Sequence, residues 1–155
     1  MTFLERVVDV FVSHRVDFAV AGGYAVALHG AVRGTIDVDV VLRVDRANLM
    51  AAEAALKSLG LVSRLPIDAG MVFDFRKEYI EQRNLKAWSF CNSNNPGEVV
   101  DLLILHDLAD LRTTRVPLGG DRAVTLVALD DLIAMKRAAG RPQDLEDVRA
   151  LERLR

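Results

Sequence analysis

The sequence predicts an α/β fold, in which a small mixed β-sheet is flanked by helices. Three observations support this prediction. Short apolar runs typical of buried strands alternate with longer segments whose apolar residues recur at helical spacing. Two pairs of these runs are joined by turn-rich segments, 92–97 and 119–121, as in hairpins. One β-branched run is interrupted by two acids, Asp37 and Asp39, which indicates a strand with a functional face.

The first part of the chain is expected to alternate between helix and strand. The predicted elements are, in order, a helix over 3–14, a strand over 18–21, a short helix over 24–28, a strand around Asp37 and Asp39, and a helix over 46–59. Thr2 and Asp45 are suited to cap the two longer helices, and Gly60 is suited to end the second.

The second part contains one ambiguous segment and four clearer elements. Residues 61–79, with Met71, Phe73 and Phe75 in alternation, predict either a strand with a loop or a lid over a pocket. The remaining predictions are a hairpin of strands 85–91 and 98–105, a hairpin of strands 112–118 and 122–127, a helix from residue 130 that Gly140 ends, and a last helix with Pro142 in its first turn. At 155 residues, the whole chain is expected to form one domain, with the helices of 129–155 packed on its core.

Asp37 and Asp39 form the first candidate site. Residues two apart in a strand project to the same face, so the two carboxylates are expected side by side while Val38 and Val40 face the other way. Removing two like charges from water is costly unless a cation or a hydrogen-bond network compensates them. A divalent metal ion is the simplest compensation.

Gly22 and Gly23 lie where the first strand gives way to the short helix. Without Cβ atoms they allow the backbone to approach a bulky group, and the N–H groups at the helix start favour an anion such as phosphate. The plainer alternative is an ordinary strand-to-helix turn, with the acids at a solvated strand end. The glycines and the acids together favour a phosphate cradle that faces a metal-binding strand.

A Gly-Gly pair followed, after thirteen residues, by Asp-Val-Asp in an apolar strand resembles the signature of the polymerase-β-type nucleotidyltransferase superfamily. Members of that superfamily have a third carboxylate on a neighbouring strand, and Asp101, which interrupts the apolar run 99–105, fits that description. The segment DDLIAMKRAAGRPQDLEDV is similar to the C-terminal segments of the abortive-infection, AbiEii-type toxin branch. The resemblance covers most of the chain and implies the palm-like fold of polymerase β.

The resemblance also implies a reaction and a set of site residues. An acceptor hydroxyl would attack the α-phosphorus of a nucleoside triphosphate (NTP) in line, and pyrophosphate would leave. Asp37, Asp39 and Asp101 would be the catalytic metal ligands and would hold two Mg²⁺ ions, for which Mn²⁺ could substitute. The residues expected to bind the nucleotide are Gly22, Gly23, Tyr24, Arg33, Thr35, Lys136, Arg141 and Asp144.

Two of these assignments have structural alternatives. Lys136 shares the apolar face of its predicted helix, where it either reaches the triphosphate or extends past the edge of the core. Asp144 lies near the start of the last helix, where its charge suits the helix dipole without any chemistry. The resemblance instead makes Arg141 and Asp144 residues that orient Lys136 or a phosphate. Both interpretations stay open at this point.

The acceptor is the least determined part of the prediction. The toxin branch implies an RNA acceptor such as transfer RNA, with an antitoxin partner or a homodimer completing the surface. A small-molecule nucleotidyltransferase of the antibiotic-modifying kind is the alternative, and a non-catalytic module that binds a nucleotide or a partner is an alternative of another class. An RNA acceptor needs an arginine-lined groove, whereas a small molecule needs a compact pocket.

Composition sets the outer limits. The formal net charge of −2 indicates no strong basic field of the kind that is typical of nucleic-acid-binding proteins. No apolar run approaches the length of a membrane span and no leader is recognisable, so a cytoplasmic location without a membrane partner is expected. Cys91 is the single cysteine, which excludes an intramolecular disulfide.

Overall fold

The computed structural model describes residues 1–31, 34–35 and 37–155. The helices and strands, in chain order, are α1 (Phe3–Ser13), β1 (Phe18–Ala21), α2 (Gly22–Leu28), β2 (Val38–Leu42), α3 (Arg46–Ser58), β3 (Leu61–Ser63), α4 (Ala69–Arg83), β4 (Trp88–Asn92), β5 (Asn95–Leu102), β6 (Thr113–Pro117), β7 (Ala123–Val127), α5 (Leu129–Ala139) and α6 (Pro142–Glu152). The predicted α/β class is confirmed.

The described strands form one mixed sheet in the order β3-β4-β5-β2-β1-β7-β6. β2 pairs antiparallel with β1 and parallel with β5, and the two predicted hairpins, β4–β5 and β6–β7, complete the two sides of the sheet. The register places Asp39 opposite Ala21 of β1 and opposite Asp101 of β5. Two acids distant in sequence therefore become direct neighbours in the middle of the sheet.

Local sequence signals set most of the helix ends. Thr2 and Glu5 form a reciprocal capping box at the start of α1, and Asp45 accepts the Asn48 N–H at the start of α3, as predicted. Gly60 and Gly140 follow their helices with φ angles of +83° and +68°, the left-handed conformation that glycine adopts without strain. Apolar faces of these helices pack on the sheet, where Phe11, Trp88 and Phe90 are among the largest fully buried side chains.

The strand considered for residues 71–75 is wrong, because this segment lies in the helix α4. Asp68 caps α4 and Asn84 ends it in a left-handed conformation. The buried residues of α4 are Ala69 and Val72, while Met71, Phe73 and Phe75 remain exposed. A helix that buries so little has no continuous inward apolar stripe, so its pattern cannot reveal the helical period.

The hairpin that carries Asp101 is shifted relative to the prediction. β5 begins at Asn95, inside the segment predicted as a turn, and ends at Leu102 rather than at residue 105. Asp101 therefore lies near the end of the strand and not in its middle. None of the described helices is long and apolar enough to cross a bilayer.

Candidate active site

Asp39 of β2 and Asp101 of β5 form the centre of the candidate site, and we call them the acid pair. The two residues are register partners on adjacent strands, and the Ser89 hydroxyl of β4 donates to Asp101 Oδ1. Burial, followed by the charge and the hydrogen bond of Asp101, raises the pKa of Asp39 to about 7. Asp39 therefore keeps a proton in a substantial fraction of the metal-free molecules near neutral pH.

Asp37 lies immediately before β2, not within it, and is exposed. Burial, and next the charge of Asp101, raises the pKa of Asp37, while the guanidinium of Arg64 opposes this effect. No group of three or more His, Cys, Asp or Glu side chains in the described part of the chain is arranged to hold a metal ion. The three-carboxylate metal site stays a prediction. The chemistry of the donors nevertheless fits a hard divalent cation, since the acid pair has oxygen ligands and an uncompensated like charge.

Gly22 and Gly23 leave room for other parts of the same site. A Cβ on Gly22, whose φ is +59°, would lie 2.0 Å from Asp39 Oδ2, and a Cβ on Gly23 would lie 2.7 Å from the Thr35 Cβ. The space above Gly22 is thus occupied by the Asp39 carboxylate. The glycine pair allows β1 to turn directly into α2 while Asp39 packs against the turn. Its role as a phosphate cradle stays a prediction.

A second group of charges lies beside the acid pair and comprises Lys136, Arg141, Asp144 and Asp147. We call it the lysine cluster. Lys136 Nζ of α5 lies 3.3 Å from Asp144 Oδ1 and 3.0 Å from Asp147 Oδ2, both on α6. Arg141 donates from Nε to Asp144 Oδ2 at 2.7 Å. Burial acts to raise the pKa of Asp144, but the hydrogen bond from Arg141 and the charge of Lys136 together lower it.

This arrangement bears on both interpretations of Lys136 and Asp144. Lys136, with 8% of its surface exposed, faces inward as predicted and does not extend past the core edge to solvent. Asp144, 1% exposed, does accept the backbone N–H of Arg141 at the helix start, and it also holds the side chains of Lys136 and Arg141. Its position serves the helix and orients the two cations at once.

Two cavities meet at the acid pair, and both are lined by Asp39, Asp101, Lys136 and Arg141. The first, about 700 Å³, is the polar cavity. Its other lining residues are Gly23, Gly34, Thr35 and Asp37. The second, about 290 Å³, is the apolar cavity, between α5 and the segment that follows β5. Its other lining residues are Gly22, Lys86, Ala87, Leu103, Leu105, His106, Leu132, Met135, Ala139 and Asp144.

The cavities bring together most of the residues predicted for the nucleotide. Six of them line the cavities and come from four separate segments of the chain: Gly22 and Gly23, Thr35, Lys136, and Arg141 with Asp144. Tyr24 instead packs against the hydrophobic core from α2 and lines neither cavity. Arg33 lies outside the described residues.

Four further side chains belong to this region and were not predicted. Ser89 contacts Asp101 from the paired strand, and Asp147 contacts Lys136. Arg64 follows β3, its N–H bonds to the Ser89 carbonyl at 2.9 Å, and its charge acts on Asp37 and Asp101. Lys86 lines the apolar cavity. The register of the β4–β5 hairpin could have indicated that Ser89 lies opposite Asp101. The position of Arg64 follows from β3, which lies in the segment whose sequence pattern was ambiguous.

The fold is that of the polymerase-β-like nucleotidyltransferases, as three solved structures show. The solution structure of the antibiotic-resistance factor ANT(2'')-Ia matches with a TM-score of 0.64 and 12% identity, over 96% of this chain and 80% of that one. The crystal structure of ANT(2'')-Ia with adenylyl-2''-tobramycin matches with a TM-score of 0.63 and 14% identity, over 96% of this chain and 84% of that one. The crystal structure of the lincosamide antibiotic adenylyltransferase LnuA, with lincomycin bound, matches with a TM-score of 0.63 and 13% identity, over 99% of this chain and 96% of that one.

No family model matches the chain, and no curated protein sequence matches it. At 12–14% identity the structural likeness establishes the fold alone. The finer resemblance to the AbiEii-type branch has no counterpart among these three structures and stays a prediction.

Proposed function

We propose that this protein is an NTP-dependent nucleotidyltransferase that modifies a hydroxyl group of a small molecule. The observation that carries the proposal is the acid pair at the junction of two cavities, with Lys136 and Arg141 beside it. A site of this composition can hold a triphosphate and polarise its α-phosphorus. The structural neighbours, two of which have an antibiotic or its adenylyl product bound, support the same reaction class.

In the reaction, the acceptor oxygen forms a bond to the α-phosphorus while the bond to the bridging oxygen breaks. Pyrophosphate leaves with that electron pair, and the hydroxyl proton is released to the acid pair or to solvent. Asp39, Asp101 and Asp37 are the residues that would hold Mg²⁺, which when bound would neutralise phosphate charge and activate the hydroxyl. Lys136 and Arg141 neutralise the triphosphate, and Asp144 orients both cations.

The charge distribution favours the small-molecule acceptor over RNA. Among the described residues that line the two cavities, Arg141 is the only arginine, and the proposed reaction uses it for the triphosphate. Many other arginines are engaged in ion pairs with acids of the same chain, among them Arg6, Arg43, Arg46, Arg112, Arg122, Arg137 and Arg155. An RNA-binding groove needs cations directed at phosphates, which these pairs do not supply.

The first experiment measures thermal unfolding with each ribonucleoside triphosphate, with and without Mg²⁺. At about 100 times the dissociation constant, binding adds about 2.7 kcal/mol, a shift of several degrees for a domain of this size. We expect a Mg²⁺-dependent shift with at least one triphosphate, and we expect Asp39→Asn to abolish it. Asp121→Asn, in the exposed turn between β6 and β7, is the matched control and should keep the shift. A shift that survives in Asp39→Asn would contradict the proposal.

The second experiment identifies the acceptor class. The radiolabelled triphosphate that binds is incubated with Mg²⁺ and with lincomycin, tobramycin or unfractionated transfer RNA, and the labelled products are separated. We expect label on a small molecule. Label on transfer RNA alone would favour the toxin interpretation, and nucleotide binding without any transfer would favour a non-catalytic module.

A further inference from the structure

The two cavities have different chemistry, and this difference bears on which substrate each one receives. In-line displacement at phosphorus requires the attacking and leaving oxygens to lie on opposite sides of the reacting atom. If the α-phosphorus lies at the acid pair, as the proposed function requires, both cavities adjoin it, and their remaining lining residues differ. The polar cavity has Gly23, Thr35 and Asp37 on its wall and suits the leaving pyrophosphate. The apolar cavity is then the direction of attack.

The wall of the apolar cavity, apart from the acid pair and the lysine cluster, is formed largely by Leu103, Leu105, Leu132 and Met135. The polar residues of this wall are Lys86 and His106. Burial, and next the charge of Arg76, lowers the pKa of His106, so this imidazole is neutral at pH 7. The wall therefore combines apolar surface with one exposed positive charge.

Each carboxylate that lines the apolar cavity already has a role in the reaction or an ion-pair partner. Asp39 and Asp101 are the acid pair, which the reaction uses, and Asp144 is held by Lys136 and Arg141. No other Asp or Glu belongs to the described lining of this cavity. A substrate with several ammonium groups would find no free counter-charge there and would meet Lys86, at a desolvation cost that nothing offsets.

We infer that the apolar cavity receives the acceptor, and that the acceptor is a compact hydroxyl-bearing molecule with an apolar face and at most one positive charge. The cavity volume of about 290 Å³ suits one or two rings of such a molecule. This inference rests on the proposed function and narrows it, because it excludes polycationic aminosugars as good substrates.

The test compares acceptors of different charge in the same transfer assay. Lincomycin has one basic amine, octyl glucoside is uncharged, and tobramycin is a polycation. We expect kcat/KM for the better of the first two to exceed that for tobramycin by at least about tenfold. A preference for tobramycin, or transfer to none of the three while Mg²⁺–NTP binding is intact, would overturn the inferred acceptor class. Loss of Mg²⁺–NTP binding itself would instead overturn the proposed function.

Two variants test the location of the acceptor. Met135→Trp fills the apolar cavity and should raise the acceptor KM by about tenfold or more while the NTP-induced thermal shift is retained. Lys86→Glu, at an exposed position, introduces the missing counter-charge and should raise the tobramycin-to-lincomycin ratio of kcat/KM by about fivefold. Lys77→Glu, exposed on α4 and outside the cavity, makes the same change of net charge and should leave the ratio unchanged. An unchanged ratio in Lys86→Glu, or equal changes in both lysine variants, would contradict the assignment of this cavity to the acceptor.

Discussion

The acid pair and the lysine cluster are two adjacent groups of charged residues, and they differ in how their buried charges are compensated. In the lysine cluster, two cations meet two carboxylates, and the pKa of Asp144 is lowered because its ionised form has partners. In the acid pair, two carboxylates meet each other, and the pKa of Asp39 is raised. The cluster is neutral in itself, whereas the pair needs a proton or an external cation.

This contrast separates a charge group that is compensated within the chain from one that requires an external cation. A charge group that is compensated within the chain stabilises a fixed arrangement of α5 and α6. A group that is left uncompensated lowers stability and is retained where a ligand supplies the missing charge. Lys136 connects the two, because its charge also acts on Asp39. Substitutions in the two groups should therefore have effects of different kinds.

The largest expected effect is on transfer by Asp39→Asn. The amide keeps the shape and a hydrogen bond to Asp101 but removes the negative charge that a divalent ion needs. We expect kcat/KM to fall by more than about a hundredfold, with the metal-free protein at least as stable as the wild type. Pyrophosphate release in the presence of Mg²⁺ measures the first quantity and urea denaturation the second. Retained transfer would mean that the acid pair is not the catalytic centre.

The opposite pattern is expected for Asp144→Asn. Lys136 would lose one of its two acidic partners inside the protein, so the free energy of unfolding should fall by about 2–4 kcal/mol. The matched control is Asp9→Asn, which breaks a more exposed pair with Arg122. That change should cost no more than about 1 kcal/mol. Equal losses in urea denaturation for the two variants would show that the lysine cluster is not the stabilising element described above.

The elements of the acid pair were accessible from sequence, but their contact was not. The strand 18–21, the acids in the β-branched runs and the hairpin carrying Asp101 follow from local patterns. The pairing of β2 with β5, which joins Asp39 to Asp101, is a contact between strands about sixty residues apart. No local pattern determines such a register. The resemblance to the nucleotidyltransferase superfamily predicted only that Asp101 lies on a strand next to the one with Asp39.

The lysine cluster shows the complementary limit. The helical periodicity correctly predicted that Lys136 faces inward, and Pro142 correctly predicted the start of α6. The charges of Asp144 and Asp147 were explicable by the helix dipole alone, so sequence reasoning could not decide that both acids hold Lys136. The helix α4 was missed for a different reason, since its exposed Phe73 and Phe75 gave an alternation without an inward face.

A smaller effect is expected for Gly22→Ala, which tests how tightly the acid pair is packed. The new Cβ would lie 2.0 Å from Asp39 Oδ2 at a residue with φ of +59°. We expect the free energy of unfolding to fall by about 2–3 kcal/mol, with a weaker Mg²⁺-dependent shift because Asp39 is displaced. Gly60→Ala is the matched control, since its φ is +83° but no atom lies within 4 Å of the Cβ position. It carries the backbone strain of about 1 kcal/mol without the clash. Indistinguishable losses in the two variants would show that Asp39 does not occupy this space.

The last expected effect is the pH dependence that Asp39 of the acid pair adds to stability. The pKa of Asp39 is raised from its ordinary value of 3.8 to about 7 in the folded protein. Between these values the folded state binds a proton that the unfolded state has released, so this contribution to stability is full below pH 3.8 and is lost as the pH rises through 7. With EDTA present, Asp39→Asn should be more stable than the wild type, and this difference in unfolding free energy should grow by about 2–3 kcal/mol between pH 5 and pH 8. Urea denaturation at the two pH values measures this difference, and groups that titrate identically in both proteins cancel from it. Mg²⁺ should reduce the stability difference between the two proteins more at pH 8 than at pH 5, because the ion competes with the proton on Asp39. A gain that does not change with pH would mean that Asp39 ionises normally and that the acid pair needs no external cation.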